Sequence, residues 1–475
     1  MKERQKKMEF SASTGQWSRS IVFLFSLSLT GLGLWPFLLV TAIMMLHSYF
    51  REPREFIVQL FVFSTYSGFI GSDQLPVKLS DLMMIASIGL LLFGKLNQKI
   101  RPLLVAFLLY VVGVFLLAMT SMESMMVQIK MMRYYFVIIT FIIPLFLLRS
   151  DRDGLLGCGH YLVVYSLVIC GFYIIDGFIL NGFVMLPNTY LEEGVSRWNN
   201  LWVDPLTTYF PRKYPPGLFI LIPTAYYISR YFRLNLFQWL LIIGAMAASR
   251  TMTFLAAFLV VLIFSMSDRH KIRRNVVGLS VGLVIVYLVD LCGGGFLRFS
   301  STVNQFFDLK EAVESGDVEM ISEFGSGRLA QALPKMELLL ERNRLWTGFG
   351  FIHPSESFLT ELILKNPFYP DQSVHSSVEM PAEVEITQVQ TVLNIGLIGL
   401  LLQMLFYSFI AVYLYRSNMK WQFYLAVLIG VSISGLGGFI GLTTAFTMWL
   451  GLALGLSMLH ENDKDEEIYV ERVTM

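Results

Sequence analysis

Apolar runs of near membrane-spanning length recur from one end of the chain to the other, and this recurrence limits the possible folds. A helix that crosses a membrane needs about 20 apolar residues, because each residue adds about 1.5 Å of length. The first two runs form either two helices or one helix kinked at Pro36. The runs predict an all-α polytopic membrane protein with about 12–14 transmembrane helices, at residues 21–34, 36–50, 56–72, 81–94, 102–120, 134–148, 155–179, 215–229, 236–249, 251–266, 275–291, 386–415, 421–437 and 439–459.

The composition agrees with a membrane protein. Hydrophobic residues make up 55% of the 475-residue chain and charged residues only 15%, which excludes an ordinary soluble globular protein. The six histidines form no cluster at metal-ligand spacing, and the three cysteines, Cys158, Cys170 and Cys292, form no CxxC pair. We therefore expect neither a bound metal nor a cofactor.

The positions of lysine and arginine predict the orientation in the membrane. Cytoplasmic connections of membrane proteins carry an excess of these residues. If the N-terminus is cytoplasmic, every short connection on the same side is basic, which places both termini in the cytoplasm. The residues that carry this signal are Lys95, Lys99, Arg101, Arg149, Arg152, Arg230, Arg233, Arg269, Lys271, Arg273, Arg274, Arg416 and Lys420.

This orientation divides the chain into five parts. The predicted parts are a cytoplasmic tail over 1–20, a transmembrane bundle over 21–291 with an outer loop at 181–214, a large extracytoplasmic loop over 292–385, C-terminal transmembrane helices over 386–460, and a cytoplasmic tail over 461–475. Acidic residues outnumber basic ones in the large loop, so particular arginines must hold any anionic substrate there. Its segment between Lys310 and Glu323 is typical of a solvated helix or a lid.

A few basic residues fall outside the cytoplasmic connections. Lys130 and Arg133 lie three residues apart, on one helical face, at the outer end of a span. They either extend toward lipid phosphates or contact a substrate diphosphate. Arg250 either caps a tight outer turn or lines a polar cavity, and Arg197 in the first outer loop either belongs to an interfacial segment or binds substrate.

Several short motifs around the two outer loops form a recognisable order. The motifs are the segment from Arg197 to Pro205, the Ser-Arg-Thr hairpin at 249–251, the Gly-Arg at 327–328, the Gly-Phe-Gly at 348–350 and the Gly-Leu-Ile-Gly at 396–399. With these motifs in this order, the chain resembles the bacterial O-antigen ligase and Wzy-type polysaccharide polymerase superfamily.

The resemblance implies a fold and an activity. Such proteins are similar to the metal-independent GT-C glycosyltransferases, which have many membrane helices. The implied donor is an undecaprenyl-diphosphate-linked oligosaccharide, and the implied place of reaction is the outer face of the bacterial cytoplasmic membrane. The implied partners are membrane lipid, a flippase and a chain-length regulator, and no nucleic acid.

One position separates the branches of the superfamily. Ligases place a histidine eleven residues before the first glycine of the closing Gly-x-x-Gly, and here Glu385 occupies that position, while His375 lies ten residues too early. This departure favours a polymerase over a ligase-type transferase. A polysaccharide or lipid transporter is the alternative outside the enzymes, although the chain shows no half-to-half similarity of the kind that many transporters have.

The implied chemistry needs cationic donors and a base. Without a metal, arginines stabilise the negative charge of the departing lipid diphosphate, and a carboxylate or histidine takes the proton of the acceptor hydroxyl. Glu385 is the candidate base, and Glu383, which cannot share its helical face, is the alternative. The candidates for binding the diphosphate are Arg328, Arg197, Arg342, Arg344, Arg133, Lys130 and Arg250.

Overall fold

The structure is a computed structural model, and the part of the chain that it describes is mostly helical. The described residues are 8–31, 34, 36–66, 79–93, 101–120, 125, 128, 136–148, 152–175, 220–249, 258–259, 261–263, 269–292, 299–315, 328–351 and 387–416. The predicted outer loop at 181–214, most of the span at 251–266 and the spans at 421–437 and 439–459 lie outside these residues.

Most of the helices overlap the predicted apolar runs, and two further helices lie in the predicted large loop. The helices are α1 (Thr14–Gly31), α2 (Pro36–Arg51), α3 (Pro53–Tyr66), α4 (Leu79–Phe93), α5 (Arg101–Ala118), a 3-10 helix (Val137–Phe141), α6 (Ile142–Leu148), α7 (Arg152–Ile174), α8 (Leu221–Arg230), α9 (Leu236–Ser249), α10 (Arg269–Cys292), α11 (Phe299–Ser315), α12 (Arg328–Glu341) and α13 (Thr387–Arg416). Two short strands, β1 (Met8–Glu9) and β2 (Phe232–Arg233), pair in parallel.

Three helices of the described part are long and apolar enough to cross a membrane. They contain the stretches Arg101–Ala118, Gly157–Ile174 and Gln388–Ile410. Shorter apolar helices accompany them, at Pro36–Arg51, Asp81–Phe93, Leu236–Met246 and Val276–Cys292. These helices confirm, for the described residues, the prediction of a helical protein with membrane-length apolar segments.

Helix α7 forms the centre of the main core. It packs against α1, α3, α8 and α9, and most of its residues from Cys158 to Tyr173 are buried. A helix that is apolar on every face is stable only when neighbours surround it or lipid covers it. The continuous apolar run in this part of the sequence therefore marks the helix around which the others pack.

Helices α1 and α2 are separate, which decides between the two alternatives for the first apolar runs. Helix α1 ends at Gly31, and α2 begins at Pro36, where the fixed φ of proline suits a first helical turn. The two helices pack side by side, and the Ser26 hydroxyl donates to the carbonyl of Phe37 at 2.7 Å. The segment around residue 36 therefore connects two antiparallel helices.

Helices α5 and α13 form a second pair. The Tyr110 ring stacks on the Phe406 ring, with centroids 5.1 Å apart and planes 12° apart.

Helix α11 carries an exposed ion pair between Lys310 and Glu314, with Nζ and Oε1 3.8 Å apart. The helical part of the predicted solvated segment is thus confirmed as far as Ser315.

The contacts group the helix ends into two sets. Strand β1 near the N-terminus pairs with β2 between α8 and α9, and both segments are cytoplasmic in the predicted orientation. In the second set of helix ends, Arg344 contacts Thr120 and Phe351 contacts Gln128. All four residues are extracytoplasmic in the predicted orientation. We refer to the two sets as the inner and outer ends.

Candidate functional site

Two of the candidate site residues, Arg342 and Arg344, have described side chains. Arg328 is the first residue of α12 and is described by its backbone alone. The remaining candidates lie outside the described residues: Arg197, Arg133, Lys130, Arg250, Glu383 and Glu385. The site can therefore be built from the part of the large loop that surrounds Arg342 and Arg344.

Helix α12 ends in a Schellman motif that turns the chain between these two arginines. The N–H of Arg344 donates to the carbonyl of Leu339 at 2.8 Å, and that of Asn343 donates to Leu340 at 3.1 Å. Asn343 has a φ of 54°, and asparagine is one of the few residues besides glycine that ends helices in this left-handed conformation. The sequence Arg-Asn-Arg thus places a cationic residue on each side of a helix stop.

Helix α13 is folded at Gly396. The glycine has φ 69° and ψ −176°, and the Thr391 hydroxyl lies 3.3 Å from Oε1 of Gln403. A straight helix would separate residues 391 and 403 by about 18 Å along its axis. The element therefore consists of an outer segment, residues 387–395, and a second segment, residues 397–416, that bends back toward it.

The second segment has the length of a membrane span by itself. Its roughly 20 residues extend about 30 Å, the thickness of the apolar part of a bilayer. The sequence predicts one span over 386–415, and the stretch Gln388–Ile410 is apolar enough for one. The structure differs because the chain bends inside this stretch, so the outer segment does not continue the axis of the second.

Residues 345–350 fill the break in α13 with backbone hydrogen bonds. Phe349 and Gly350 donate to the carbonyls of Leu393 and Asn394, both at 2.9 Å. In return, Leu397 and Ile398 of α13 donate to the carbonyls of residues 345 and 346, at 2.9 and 3.2 Å. A broken helix exposes unpaired N–H and C=O groups, which are costly away from water. We call residues 343–351 together with residues 393–398 the outer junction.

The two glycine motifs of the sequence meet in the outer junction. A Cβ on Gly348, which has a φ of 71°, would lie 2.6 Å from the backbone of Asn394. A Cβ on Gly396, which has a φ of 69°, would overlap the carbonyl group of Trp346. Both positions thus need glycine for its conformation and for its lack of a side chain. Gly-Phe-Gly and Gly-Leu-Ile-Gly are two halves of one backbone contact.

Two side-chain contacts fasten the outer junction to the outer end of α5 and the segment after it. Gln128 is 2% exposed; its Nε2 donates to the Phe351 carbonyl at 2.7 Å, and its Oε1 accepts from the Phe351 N–H at 2.8 Å. Nη1 of Arg344 donates to the carbonyl of Thr120 at 3.1 Å. Sequence reasoning missed Gln128, although a lone amide within the apolar run Met-Met-Val-Gln-Ile is a usable signal.

A small hydrophobic core supports the outer junction. It is separate from the main core and brings together α12, Phe349 and the outer segment of α13. The Phe349 side chain, held between the two glycines, is 2% exposed. The buried members of this second core are Ala332, Leu338, Leu339, Phe349, Val392 and Leu393.

The two described arginines differ in how much of their charge is engaged. Arg344 uses one donor on the Thr120 carbonyl. Arg342 is exposed, and among the described residues its side chain forms neither a hydrogen bond nor an ion pair. Arg342 is thus the more exposed of the two arginines, and a guanidinium presents five N–H donors in a planar fork.

A different polar group, the inner cluster, lies at the inner end. Glu55 is 1% exposed, and Oε2 of its carboxylate lies 2.9 Å from Nη2 and 2.9 Å from Nε of Arg19. The Tyr165 hydroxyl donates to Oε1 of Glu55 at 3.3 Å and accepts from Nε2 of Gln59 at 2.9 Å. These groups mainly satisfy one another, so we interpret the inner cluster as a structural link between α1, α3 and α7.

Within the described residues, no group of three or more histidine, cysteine, aspartate or glutamate side chains could hold a metal ion. No protein-family model, no curated protein and no solved structure matches the chain. The described part of the chain is a helical protein with membrane-length apolar helices, in which Arg342 and Arg344 lie at a backbone-held contact between the large loop and α13.

Proposed function

We propose that the chain polymerises lipid-linked oligosaccharide repeat units, of an O-antigen, a capsule or an exopolysaccharide, on the outer face of the bacterial cytoplasmic membrane. Both termini are cytoplasmic in this proposal, and the fold is GT-C-like. The observation that carries it is the outer junction, where the two glycine motifs of the resemblance contact each other beside Arg342. A polymerase needs such a fixed site at the level where its lipid-linked donor leaves the membrane.

The role of the arginines follows from the leaving group. As the bond between the donor sugar and the diphosphate breaks, negative charge accumulates on the diphosphate oxygens. A guanidinium binds two such oxygens at once and stays charged when partly buried. Arg342 is the best-supported candidate because no described residue occupies its donors, and Arg328 and Arg197 are the next candidates.

The role of the base follows from the acceptor. The oxygen of an acceptor hydroxyl attacks the anomeric carbon of the donor sugar, the bond from that carbon to the diphosphate oxygen breaks, and the lipid diphosphate leaves with the electron pair. The hydroxyl proton passes to a general base. Glu385, two residues before the first residue of α13, is the proposed base. Glu383 is the alternative.

A transporter is the second candidate, because one observation favours it. Many transporters bind substrate at helices that are broken inside the membrane, where the freed backbone groups face the ligand. Helix α13 is broken at Gly396, but backbone groups of residues 393, 394, 397 and 398 bond to residues 345–350. The break therefore serves to hold the large loop, which fits an enzyme site better than a transport path.

The glycan profile of a strain that lacks the protein tests the proposed function. Loss of long polymer, with one repeat unit still attached to its carrier or acceptor, is the result that we expect. Long polymer that accumulates on the lipid carrier indicates a ligase instead. Accumulation of single lipid-linked units on the cytoplasmic side indicates a transporter.

Arg342 offers a residue-level test in the complemented strain. We expect Arg342→Ala to reduce long polymer at least about tenfold, since loss of a charged hydrogen bond to the leaving group costs about 1.5–3 kcal/mol. Arg342→Lys keeps the charge but loses the planar fork, so we expect it to be impaired as well. Arg51→Ala, an exposed arginine at the inner end, is the matched control and should keep normal polymer. Unchanged polymer from Arg342→Ala at a normal protein level contradicts the assignment.

A further inference from the structure

The exposed apolar side chains of α5 and α13 form two stripes that end at the outer junction. On each helix the exposed residues recur every three or four positions, which places them on one face. The stripe on α5 consists of Val105, Leu109, Val112, Leu116 and Met119, and the stripe on the second segment of α13 consists of Ile398, Leu401, Leu405, Phe409 and Val412. Exposed apolar faces on membrane-length helices are the faces that contact lipid.

Each stripe ends at a residue of the outer junction through a direct hydrogen bond. The N–H of Ile398 donates to the Trp346 carbonyl at 3.2 Å, and Nη1 of Arg344 donates to the carbonyl of Thr120, one residue beyond Met119. The Trp346 side chain is 64% exposed, whereas its backbone is fixed by the contact with Gly396. A rigidly held, exposed tryptophan thus stands where both stripes stop.

We infer that Trp346 and Arg344 form an anchor in the headgroup layer of the outer leaflet, and that a lipid surface is what covers this exposed tryptophan. The second segment of α13 extends about 30 Å, so one end of it lies at a membrane boundary. Tryptophan is enriched at that boundary, and arginine extends its charge toward lipid phosphates. This inference stands without the proposed function, and it sets the outer junction at headgroup height.

Fluorescence quenching by brominated lipids tests the anchor. The full-length protein is reconstituted in nanodiscs of phosphatidylethanolamine and phosphatidylglycerol that contain lipids brominated near the glycerol backbone or near the chain ends. The emission of Trp346 is the difference between the natural chain and Trp346→Phe. The chain has eight tryptophans, so equal quenching would assign an eighth of the quenchable emission to each. With bromines near the glycerol backbone, we expect Trp346→Phe to remove more than an eighth of the quenchable emission. With bromines near the chain ends, we expect it to remove less than an eighth.

Three outcomes overturn the anchor. Quenching of the Trp346 emission by aqueous iodide and not by lipid places the side chain in water. A change of that emission on addition of a soluble oligosaccharide, without lipid quenching, assigns Trp346 to a glycan. Protection from both quenchers assigns it to a protein partner or a second copy of the chain.

Two further variants guard against artefacts of folding and method. Trp346→Tyr keeps an interfacial aromatic side chain and gives the same subtraction if Trp346→Phe fails to fold. The same measurement on Trp17→Phe reports a tryptophan that is partly buried against the main core in α1, away from the outer junction, and shows that the subtraction resolves a single tryptophan.

Discussion

The inner cluster and the outer junction join distant parts of the same chain by different means. In the inner cluster, side chains make the contacts, and one ion pair between Arg19 and Glu55 is central to them. In the outer junction, backbone groups make the contacts, and glycines permit the approach. The difference predicts which substitutions destabilise each end. Loss of a charge should destabilise the inner end, and a single methyl group added at a glycine should destabilise the outer end.

Gly396→Ala should have the largest effect. The substitution places an L-residue in the left-handed region, which costs about 1–2 kcal/mol, and its Cβ overlaps the Trp346 carbonyl group. Moving the backbone apart also weakens the four hydrogen bonds of the break, each of which contributes about 1 kcal/mol. We expect a loss of at least about 4 kcal/mol in the free energy of unfolding, measured as a fall in the thermal midpoint of the purified protein.

Gly89→Ala is the matched control for that variant. Gly89 lies in α4, and a Cβ there would meet no heavy atom within 4 Å. We expect an unchanged or slightly higher midpoint, because alanine reduces the freedom of the unfolded chain and favours helix. Equal destabilisation by the two variants would mean that the break at Gly396 does not depend on close backbone contact.

The inner cluster should respond asymmetrically to loss of its two charges. Arg19→Gln leaves the carboxylate of Glu55, which is 1% exposed, buried without its cation, and we expect a cost of about 3 kcal/mol. Glu55→Gln leaves Arg19, whose side chain is 41% exposed, able to reach water, so its cost should be about 1 kcal/mol. The double variant should recover most of the stability that Arg19→Gln loses. A greater loss from Glu55→Gln than from Arg19→Gln would reverse this interpretation.

Gln128→Ala should have a smaller effect, and it sharpens the comparison because it removes a side chain from the backbone-held end. The N–H and carbonyl of Phe351 lose their partner, and we expect a cost of about 2 kcal/mol. Gln128→Glu keeps an acceptor for the Phe351 N–H but sets an oxygen against its carbonyl, so it should be no better than alanine. The thermal midpoints of both variants measure these costs. An unchanged midpoint for Gln128→Glu would contradict the two-bond contact.

The apolar helices could be predicted from the sequence because local apolar content determines them, whereas α12 in the large loop was not predicted. Helix α9 has the predicted bounds, residues 236–249, and α2 differs from its prediction by one residue. The fold of α13 could not be predicted, since its apolar composition continues across Gly396 and glycine is common in transmembrane helices. Only the approach of the Gly-Phe-Gly segment, some 46 residues earlier, shows why the chain bends there.

The candidate site was predictable in its motifs but not in its connections. Both glycine motifs and Arg342 are visible in the sequence. The contacts of Gln128 with Phe351 and of Arg344 with Thr120 join residues more than 220 positions apart, and no local pattern indicates such pairs. No local pattern indicates the pairing of Arg19 with Glu55 either, although this ion pair joins two helices. Charged residues and glycines in the sequence thus indicate which residues belong to the site, whereas the packing of the helices determines which of them contact each other.

The distance between the two ends of α13 tests the central claim, that this helix is folded at Gly396 to hold the outer junction. Spin labels on Gln388→Cys and Val412→Cys, in a Cys292→Ser background, report that distance by pulsed electron paramagnetic resonance; Cys158 and Cys170 are buried. A second pair, Val276→Cys with the natural Cys292 of α10, calibrates a continuous helix at about 24 Å. For α13 we predict a mean distance below about 30 Å, and a value near 36 Å, the length of 24 residues of straight helix, would contradict the account.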